Sequence, residues 1–115
     1  MSTLSEEEFT ELHHILNRDY GVTPGSCSTK YKRELPKKDC NPLVLKWLAG
    51  DDDLSVRRNV AKNTKCTADI LIRLAEDQSV HVPVAVALNT HCPVATLALL
   101  AGGENSDVRI GVVRN

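Results

Sequence analysis

A spacing of 26 residues runs through most of this chain. Several residue types recur at that interval: Cys40, Cys66 and Cys92; Asn63, Asn89 and Asn115; Leu48, Leu74 and Leu100; Val60, Val86 and Val112. A fixed period of about 20–50 residues is typical of stacked repeats, in which each unit buries its apolar face against the next. The spacing therefore predicts a short right-handed solenoid of three 26-residue repeats.

Within each repeat, the apolar residues predict helices. Leu45, Leu48 and Ala49 fall on one helical face of the first repeat, and Val56 and Val60 fall on another. Apolar residues three and four positions apart are typical of helices, whereas strands alternate. Each helix is only two or three turns long and depends on its neighbours for stability. The predicted class is all-α, an α-α superhelix similar in kind to HEAT and armadillo arrays.

A separate helix is predicted before the repeats. Ser5 and Glu8 form a capping box, and Gly21 is a stop signal, which predicts a helix over residues 5–19. Its apolar stripe is expected to cover the first repeat: Phe9, Leu12, Ile15 and Leu16.

The predicted organisation has two parts. Residues 1–39 form the N-terminal capping helix and a basic connector, with a short helical turn over residues 31–35 that ends at Pro36. Residues 40–115 form the repeats, divided as 40–65, 66–91 and 92–115.

The repeats carry a family resemblance. The segments Leu48–Asp51, Val56-Arg57 and Val60–Asn63 have counterparts in Leu74–Asp77 and Val86–Asn89. This pattern resembles the variant leucine-rich repeat, a helical repeat of bacterial type. The resemblance implies that one helix of each pair is a tight 3₁₀ helix. The chain departs from the family's pattern at a few positions, where Arg, Ala or Pro would be expected: Pro83, Val113, Thr64 and Thr90.

The second repeat is unusually apolar. Arg58 and Lys62 of the first repeat are matched there by Val84 and Leu88. Because contiguous exposed apolar residues mark interfaces, this face is predicted to bind a protein partner. The alternative is burial under the connector or the N-terminal helix. The predicted partner-binding residues are Val80, Pro83, Val84 and Leu88.

The third repeat has no evident cover for several apolar residues: Leu97, Leu100, Ile110 and Val113. A terminal repeat needs a polar outer side. We therefore expect a second copy of the chain, as in a homodimer, or another protein to cover them. The alternative is a thin polar cap that includes Thr96 and Arg109.

A basic cluster between Lys30 and Lys65 supports a second hypothesis, binding of nucleic acid. The residues concerned are Lys30, Lys32, Arg33, Lys37, Lys38, Arg57, Arg58 and Lys62. The stripe is interrupted in the second repeat, where Arg57 is replaced by Pro83. A formal net charge of −1 gives no global reason to expect nucleic acid or a membrane. A protein partner is therefore preferred.

The cysteines of the repeats are predicted to fill gaps between helices, because stacked helices lie about 8–10 Å apart, too far to share one metal. A third hypothesis places a metal on Cys27, Cys40, His13 and His14. The resemblance supports it only in that some family members carry an N-terminal iron–sulfur domain. No closely spaced cysteine pair is present, so no metal or cofactor is predicted. The repeated asparagines are predicted to end helices in the left-handed conformation and to bond free carbonyl groups.

No enzyme is expected, because the Ser, His and Asp residues match no known nucleophile, phosphate-loop or metalloprotease spacing. No apolar run approaches the ~20 residues that a membrane span needs. The stretch Met1–Glu11 is acidic, unlike a signal peptide. The sequence thus predicts a cytoplasmic, non-enzymatic protein-interaction module.

Overall fold

A computed structural model describes residues 4–38, 41–103 and 106–114 of the chain. Within these residues the fold is entirely helical, without a strand, and the all-α prediction is confirmed. The elements in order are α1 (Glu6–Tyr20), α2 (Thr29–Glu34), a 3₁₀ turn (Leu35–Lys37), α3 (Pro42–Leu48), α4 (Leu54–Lys62), α5 (Ala68–Ala75), α6 (His81–Leu88), α7 (Val94–Ala101) and α8 (Ser106–Arg114).

Helix α1 forms where its local signals predict. The Ser5 hydroxyl accepts a hydrogen bond from the Glu8 amide (3.1 Å), and the Glu8 carboxylate accepts one from the Ser5 amide (3.1 Å). These two bonds complete the capping box. The helix ends at Gly21, whose φ of 66° is a left-handed conformation that glycine adopts without strain.

One face of α1 packs against α3 and covers it, as predicted. Leu12, Ile15 and Leu16 are buried there. Phe9 was expected on the same stripe but is 38 % exposed. Its ring instead contacts His13, one turn along the same helix, edge to face at 5.2 Å between centroids.

The six helices α3 to α8 form three successive pairs, α3–α4, α5–α6 and α7–α8, which we call the first, second and third helix pairs. Their first helices begin at Pro42, Ala68 and Val94, 26 residues apart. The second helices α4, α6 and α8 pack on one another, whereas the first helices contact each other much less. The molecule is elongated, 41 × 25 × 25 Å.

All six helices of these pairs are α-helices, so the 3₁₀ helices implied by the family resemblance are not observed in them. The amide of Ala49, for example, bonds the carbonyl of Leu45, four residues back, at 2.9 Å. Four-residue bonding of this kind defines the α-helix. Among the described residues, a 3₁₀ helix occurs in the connector, at Leu35–Lys37.

The connector is itself a packed layer. Helix α2 and the 3₁₀ turn both pack on α4. The predicted helical turn is thereby confirmed and extended: Pro36 does not end it, because proline occupies an early position of the 3₁₀ turn where its missing amide is not needed. Leu35 and Pro36 are buried in this contact.

Asn63, directly after α4, links that helix to the connector. Its Nδ2 group donates to the carbonyl oxygens of Pro36 (2.6 Å) and Lys38 (3.1 Å). Its Oδ1 atom accepts from the Lys65 amide (2.7 Å). We call this set of contacts the first asparagine joint.

Asn89, directly after α6, forms the second asparagine joint. Its Nδ2 group donates to the carbonyl oxygens of Ala61 (2.7 Å) and Asn63 (3.0 Å), and its Oδ1 atom accepts from the His91 amide (2.8 Å). The prediction that these asparagines bond carbonyl groups is confirmed. The carbonyls, however, belong to the preceding layer.

The predicted left-handed conformation is wrong for both residues. Asn63 has φ −77° and ψ 125°, and Asn89 has φ −71° and ψ 125°. The backbone leaves each helix in an extended conformation. The asparagine side chain accepts a hydrogen bond from the amide two residues later, and this bond forms the turn. Asn115 lies outside the described residues.

Candidate functional site

Exposed large apolar side chains are concentrated on the third helix pair. Val94, Leu99, Ile110 and Val113 are between 50 % and 85 % exposed. We call these four residues the third-pair surface. Three further large apolar residues in the described part of the chain are exposed by 38–47 %: Phe9, Ile72 and Leu88. The predicted lack of cover on the third repeat is thus observed for Ile110 and Val113.

The other third-repeat residues named from the sequence are placed differently. Leu100 is buried and Leu97 is partly buried. Thr96 is only 3 % exposed, so it cannot serve in an outer polar cap, and that alternative is wrong for this residue. Arg109 is exposed, and its Nη1 atom donates to the Gly103 carbonyl at 2.7 Å.

An apolar pocket of about 380 Å³ lies beside the third-pair surface, between α5 and α7. Ile72 and Leu99 are its exposed apolar lining residues, and Thr96, Leu100 and Val108 are buried in it. Glu76 is the one charged residue among the described residues of the lining. The pocket therefore extends the third-pair surface toward the second helix pair.

The partner site predicted on α6 is largely covered. Pro83 is buried but lines the pocket beside the third-pair surface, and Val80 and Val84 are partly buried. Leu88 remains 45 % exposed. A partner role for these residues stays a prediction, and Leu88 is the one with most surface to offer.

Helix α8 provides much of this cover, rather than the connector or α1. A Cβ atom at Gly111 would lie 3.1 Å from the Ala87 Cβ and 3.5 Å from the Val84 carbonyl oxygen. An alanine at this position would require Ala87 to move by a few tenths of an ångström, so glycine suits this close approach. Gly111 thus lets α8 lie directly on the apolar face of α6.

The predicted basic cluster is divided by ion pairs. Lys32 Nζ lies 3.0 Å from Asp51 Oδ1, and Arg33 Nη2 lies 2.7 Å from Asp53 Oδ2. The Arg33 guanidinium lowers the pKa of the Asp53 carboxyl to about 2. These two pairs hold α2 against the loop that precedes α4.

A third ion pair links neighbouring helix pairs. Arg57 Nε lies 2.7 Å from Asp77 Oδ2, and Arg57 Nη1 donates to the carbonyl oxygens of Asp51 (2.8 Å) and Asp52 (2.9 Å). Arg109 repeats the loop contact of Arg57, because it too bonds a carbonyl six residues back. Arg57 and Arg109 therefore support loops and do not form an open basic surface.

Four lysines gather at another place. Lys37, Lys38, Lys62 and Lys65 line a cleft of about 470 Å³ between the end of the 3₁₀ turn and the end of α4. We call it the lysine cleft. The rest of its described lining is uncharged: Pro36, Asn59, Asn63 and Thr64. Three of the eight predicted basic residues thus share one cleft, joined by Lys65.

The other two predicted basic residues lie elsewhere. Lys30 is exposed on α2. Arg58 is partly buried, and its Nε atom is buried without a hydrogen-bond partner among the described residues. Neither residue lines the lysine cleft.

The described cysteines are buried free thiols: Cys27, Cys66 and Cys92. Burial raises the pKa of all three, and that of Cys66 to about 12. The gap-filling role predicted for Cys66 and Cys92 is confirmed by their positions in the core. High thiol pKa values disfavour the thiolate that metals and electrophiles require.

The structure brings no metal-binding cluster together within residues 4–38, 41–103 and 106–114. His13 and His14 are exposed on α1, and Cys27 is buried after it. Cys40, the remaining residue of the metal hypothesis, lies outside the described residues. None of the helices that the structure describes is long and apolar enough to span a membrane.

Two features of this surface were not predicted. The 20-residue separation of Arg33 from Asp53, and of Arg57 from Asp77, was the available signal for the ion pairs. The predicted basic cluster covered all of the Lys30–Lys65 region and so did not single out the lysines that line the cleft.

Comparisons of the chain with protein-family models, curated proteins and solved structures found no match.

Proposed function

We propose that this chain is a non-enzymatic protein-interaction module built on a right-handed solenoid of three 26-residue repeats of the variant leucine-rich type. Three helix pairs at a 26-residue interval, with their second helices in direct contact, support the repeat architecture. Helix α1 on one flank of the first pair supports its role as a cap.

The third-pair surface is the observation that carries the proposed function. Ile110 and Val113 stand 26 residues after Val84 and Ala87. Helix α8 covers those two residues of α6, so that Ala87 is fully buried, whereas Val113 is 85 % exposed. The face of α8 that is exposed to solvent is thus equivalent to the face of α6 that packs against α8. A helix of a protein partner could pack on α8 in the same way.

The energetic argument favours such cover. Burying a Val, Leu or Ile side chain contributes roughly 1.5–3 kcal/mol. Ile110 and Val113 lie about one turn apart on α8, and exposed apolar patches mark interaction sites. Leu88 at the end of α6 lies close to Gly111 of α8 and extends the candidate contact area.

We take a second copy of the chain as the partner to test first. Light-scattering mass across a micromolar-to-millimolar concentration series should show self-association of the wild type. Ile110→Lys with Val113→Lys should weaken it by at least about tenfold, which corresponds to about 1.4 kcal/mol. Both positions are exposed, so the substitutions leave the core intact.

A matched control adds the same two charges at exposed helix positions outside the third pair, as Phe9→Lys with Ala68→Lys. Its mass should follow the wild type. A wild type that stays monomeric over the whole series, or a control that dissociates as readily as the double variant, would refute the self-association proposal.

Nucleic-acid binding through the Lys30–Lys65 region is the second candidate function, and the lysine cleft is the observation that favours it. Lys32, Arg33 and Arg57 count against a wide basic surface, because carboxylates already neutralise them. If the affinity of the chain for its partner falls steeply as the salt concentration rises, the result favours nucleic acid. If that affinity does not change with salt concentration, the result favours a protein partner bound through the apolar contact.

A further inference from the structure

The lysine cleft is lined by four lysines from two segments of the chain, which we call its two walls. Lys37 and Lys38 come from the end of the 3₁₀ turn, and Lys62 and Lys65 come from the end of α4 and the turn after it. Among the described residues that line the cleft, none is acidic. Like charges repel one another, so an anion between the walls would stabilise the cleft.

The first asparagine joint fixes both walls. Asn63 donates to the Lys38 carbonyl on one wall and accepts from the Lys65 amide on the other. Asn59, which lies on α4 and also lines the cleft, donates from Nδ2 to the Arg33 carbonyl at 2.9 Å and so links α4 to α2. The backbone that carries the lysines is therefore held in place before any ligand arrives, which lowers the entropy cost of binding.

The second asparagine joint shows that the scaffold does not need these charges. Asn89 makes the same kinds of bond as Asn63, yet the residues 26 positions after Lys62 and Lys65 are Leu88 and His91. A lysine at a helix C-terminus can stabilise the helix dipole. Helix α6 nevertheless ends without a basic residue in its last turn.

Lys37 differs from the neighbouring Lys32 and Arg33 in how it is paired. Lys32 and Arg33 bond half-buried aspartates. Lys37 has Glu34 at 3.4 Å, but both side chains are more than half exposed. An exposed pair of this kind contributes little, and Lys37 can turn to a ligand at small cost.

We infer that the lysine cleft is a binding site for phosphate groups. Lysine ammonium groups bind phosphate as point charges, and the Thr64 hydroxyl adds a neutral donor. A volume of about 470 Å³ lies within the range of ligand sites and exceeds the size of one phosphate, which leaves room for the group that carries it. A small phosphorylated compound and the phosphodiester of a single-stranded nucleic acid share this chemistry.

The test is an amide-detected NMR titration of the full chain with inorganic phosphate at low salt. The amides of Thr64 and Lys65 should shift and saturate. Lys62→Leu with Lys65→His gives the cleft the residues of the second joint, so the variant should fold. It should bind phosphate at least about tenfold more weakly.

The control, Arg18→Leu with Lys30→Leu, removes two positive charges from exposed positions outside the cleft. Its phosphate affinity should stay within about twofold of the wild type. Should the cleft variant fail the circular dichroism check for folding, Lys37→Gln with Lys38→Gln on the opposite wall tests the same site. The inference would be overturned if the Thr64 and Lys65 amide shifts of the wild type did not saturate with phosphate. It would also be overturned if the wild type and the folded cleft variant bound phosphate with equal affinity.

A short single-stranded DNA separates the two sources of phosphate. Tighter binding than inorganic phosphate, with a salt slope of about 0.7 for each phosphate neutralised, assigns the site to nucleic acid. Equal binding per phosphate assigns it to small phosphorylated compounds. Either result supports the site, and neither depends on self-association, because both cleft variants leave α7 and α8 unchanged.

Discussion

The contact between the first and second helix pairs depends on Asn89. Its side chain is 5 % exposed and makes three hydrogen bonds, to the carbonyls of Ala61 and Asn63 and from the His91 amide. Asn89→Ala removes all three, although the Asn63 carbonyl still accepts a hydrogen bond from the Cys66 amide at 3.1 Å. Each bond contributes about 1 kcal/mol net, and a buried unsatisfied group costs about 1–3 kcal/mol. We expect the free energy of unfolding to fall by about 3 kcal/mol.

Asn63→Ala is the matched comparison. Asn63 makes the same three kinds of bond, but it is partly exposed. Water can replace some of its lost bonds, so the expected cost is about 1–2 kcal/mol. Asn17→Ala, at an exposed position of α1, should be neutral or stabilising by up to about 0.7 kcal/mol, because alanine is the better helix former.

Asn89→Asp separates hydrogen bonding from side-chain size. At neutral pH a carboxylate oxygen would face two carbonyl oxygens, so this variant should be at least as unstable as Asn89→Ala. Protonation at lower pH restores one donor. Part of the lost stability should then return, relative to wild type at the same pH.

Urea denaturation followed by circular dichroism measures these differences. A slope of about 1–3 kcal/mol per M turns a loss of 3 kcal/mol into a midpoint shift of about 1–3 M. A cost below about 1 kcal/mol for Asn89→Ala, or a smaller cost than for Asn63→Ala, would refute the inference that the buried joint holds the two pairs together.

Two further predictions follow from the titrating groups. Because the Arg33 guanidinium lowers the pKa of Asp53 to about 2, the folded chain binds that proton less readily than the unfolded chain, whose aspartate titrates near about 3.9. The stabilisation from this pair is therefore present above about pH 4 and is lost as the pH falls toward 2. Arg33→Gln should raise the NMR titration midpoint of Asp53. An unchanged midpoint would contradict the conclusion that Arg33 lowers the pKa of Asp53. Burial raises the pKa of Cys66 to about 12, so its alkylation by iodoacetamide at mildly alkaline pH should be far slower in the folded chain than in urea. Equal rates by peptide mass spectrometry would show that Cys66 is accessible.

The sequence predicted the helices well because their signals are local. The capping box at Ser5, the stop at Gly21 and the apolar spacing of each pair involve residues within a few positions of one another. Such signals can be recognised in a short segment without knowledge of its tertiary contacts. The conformation of Asn63 was missed because it depends on carbonyl groups of another layer.

Which element covers α6 was not predictable from the apolar pattern alone. An apolar helix face predicts that the face is buried, but it does not predict which neighbouring element packs against it. The relevant signal was Gly111, which follows Ala85 by 26 residues and lets α8 approach α6.

The candidate sites were predicted in outline. Charge counting could not distinguish Lys32, Arg33 and Arg57, which bond aspartates, from lysines that face the cleft. Ion pairing depends on which loop each helix reaches, and only the packing of α2 and α4 determines that.

The hydrogen bonds that link the layers through asparagine side chains all run in one direction along the chain. Asn59, Asn63 and Asn89 all donate to carbonyl groups 25–28 residues earlier in the chain. During synthesis from the N-terminus, each acceptor therefore leaves the ribosome before its donor, and no joint waits for a distant segment. Short and uniform sequence separations of this kind favour rapid folding. Each layer can dock on the finished one behind it, so the nascent chain leaves little apolar surface open to aggregation while the rest is being made.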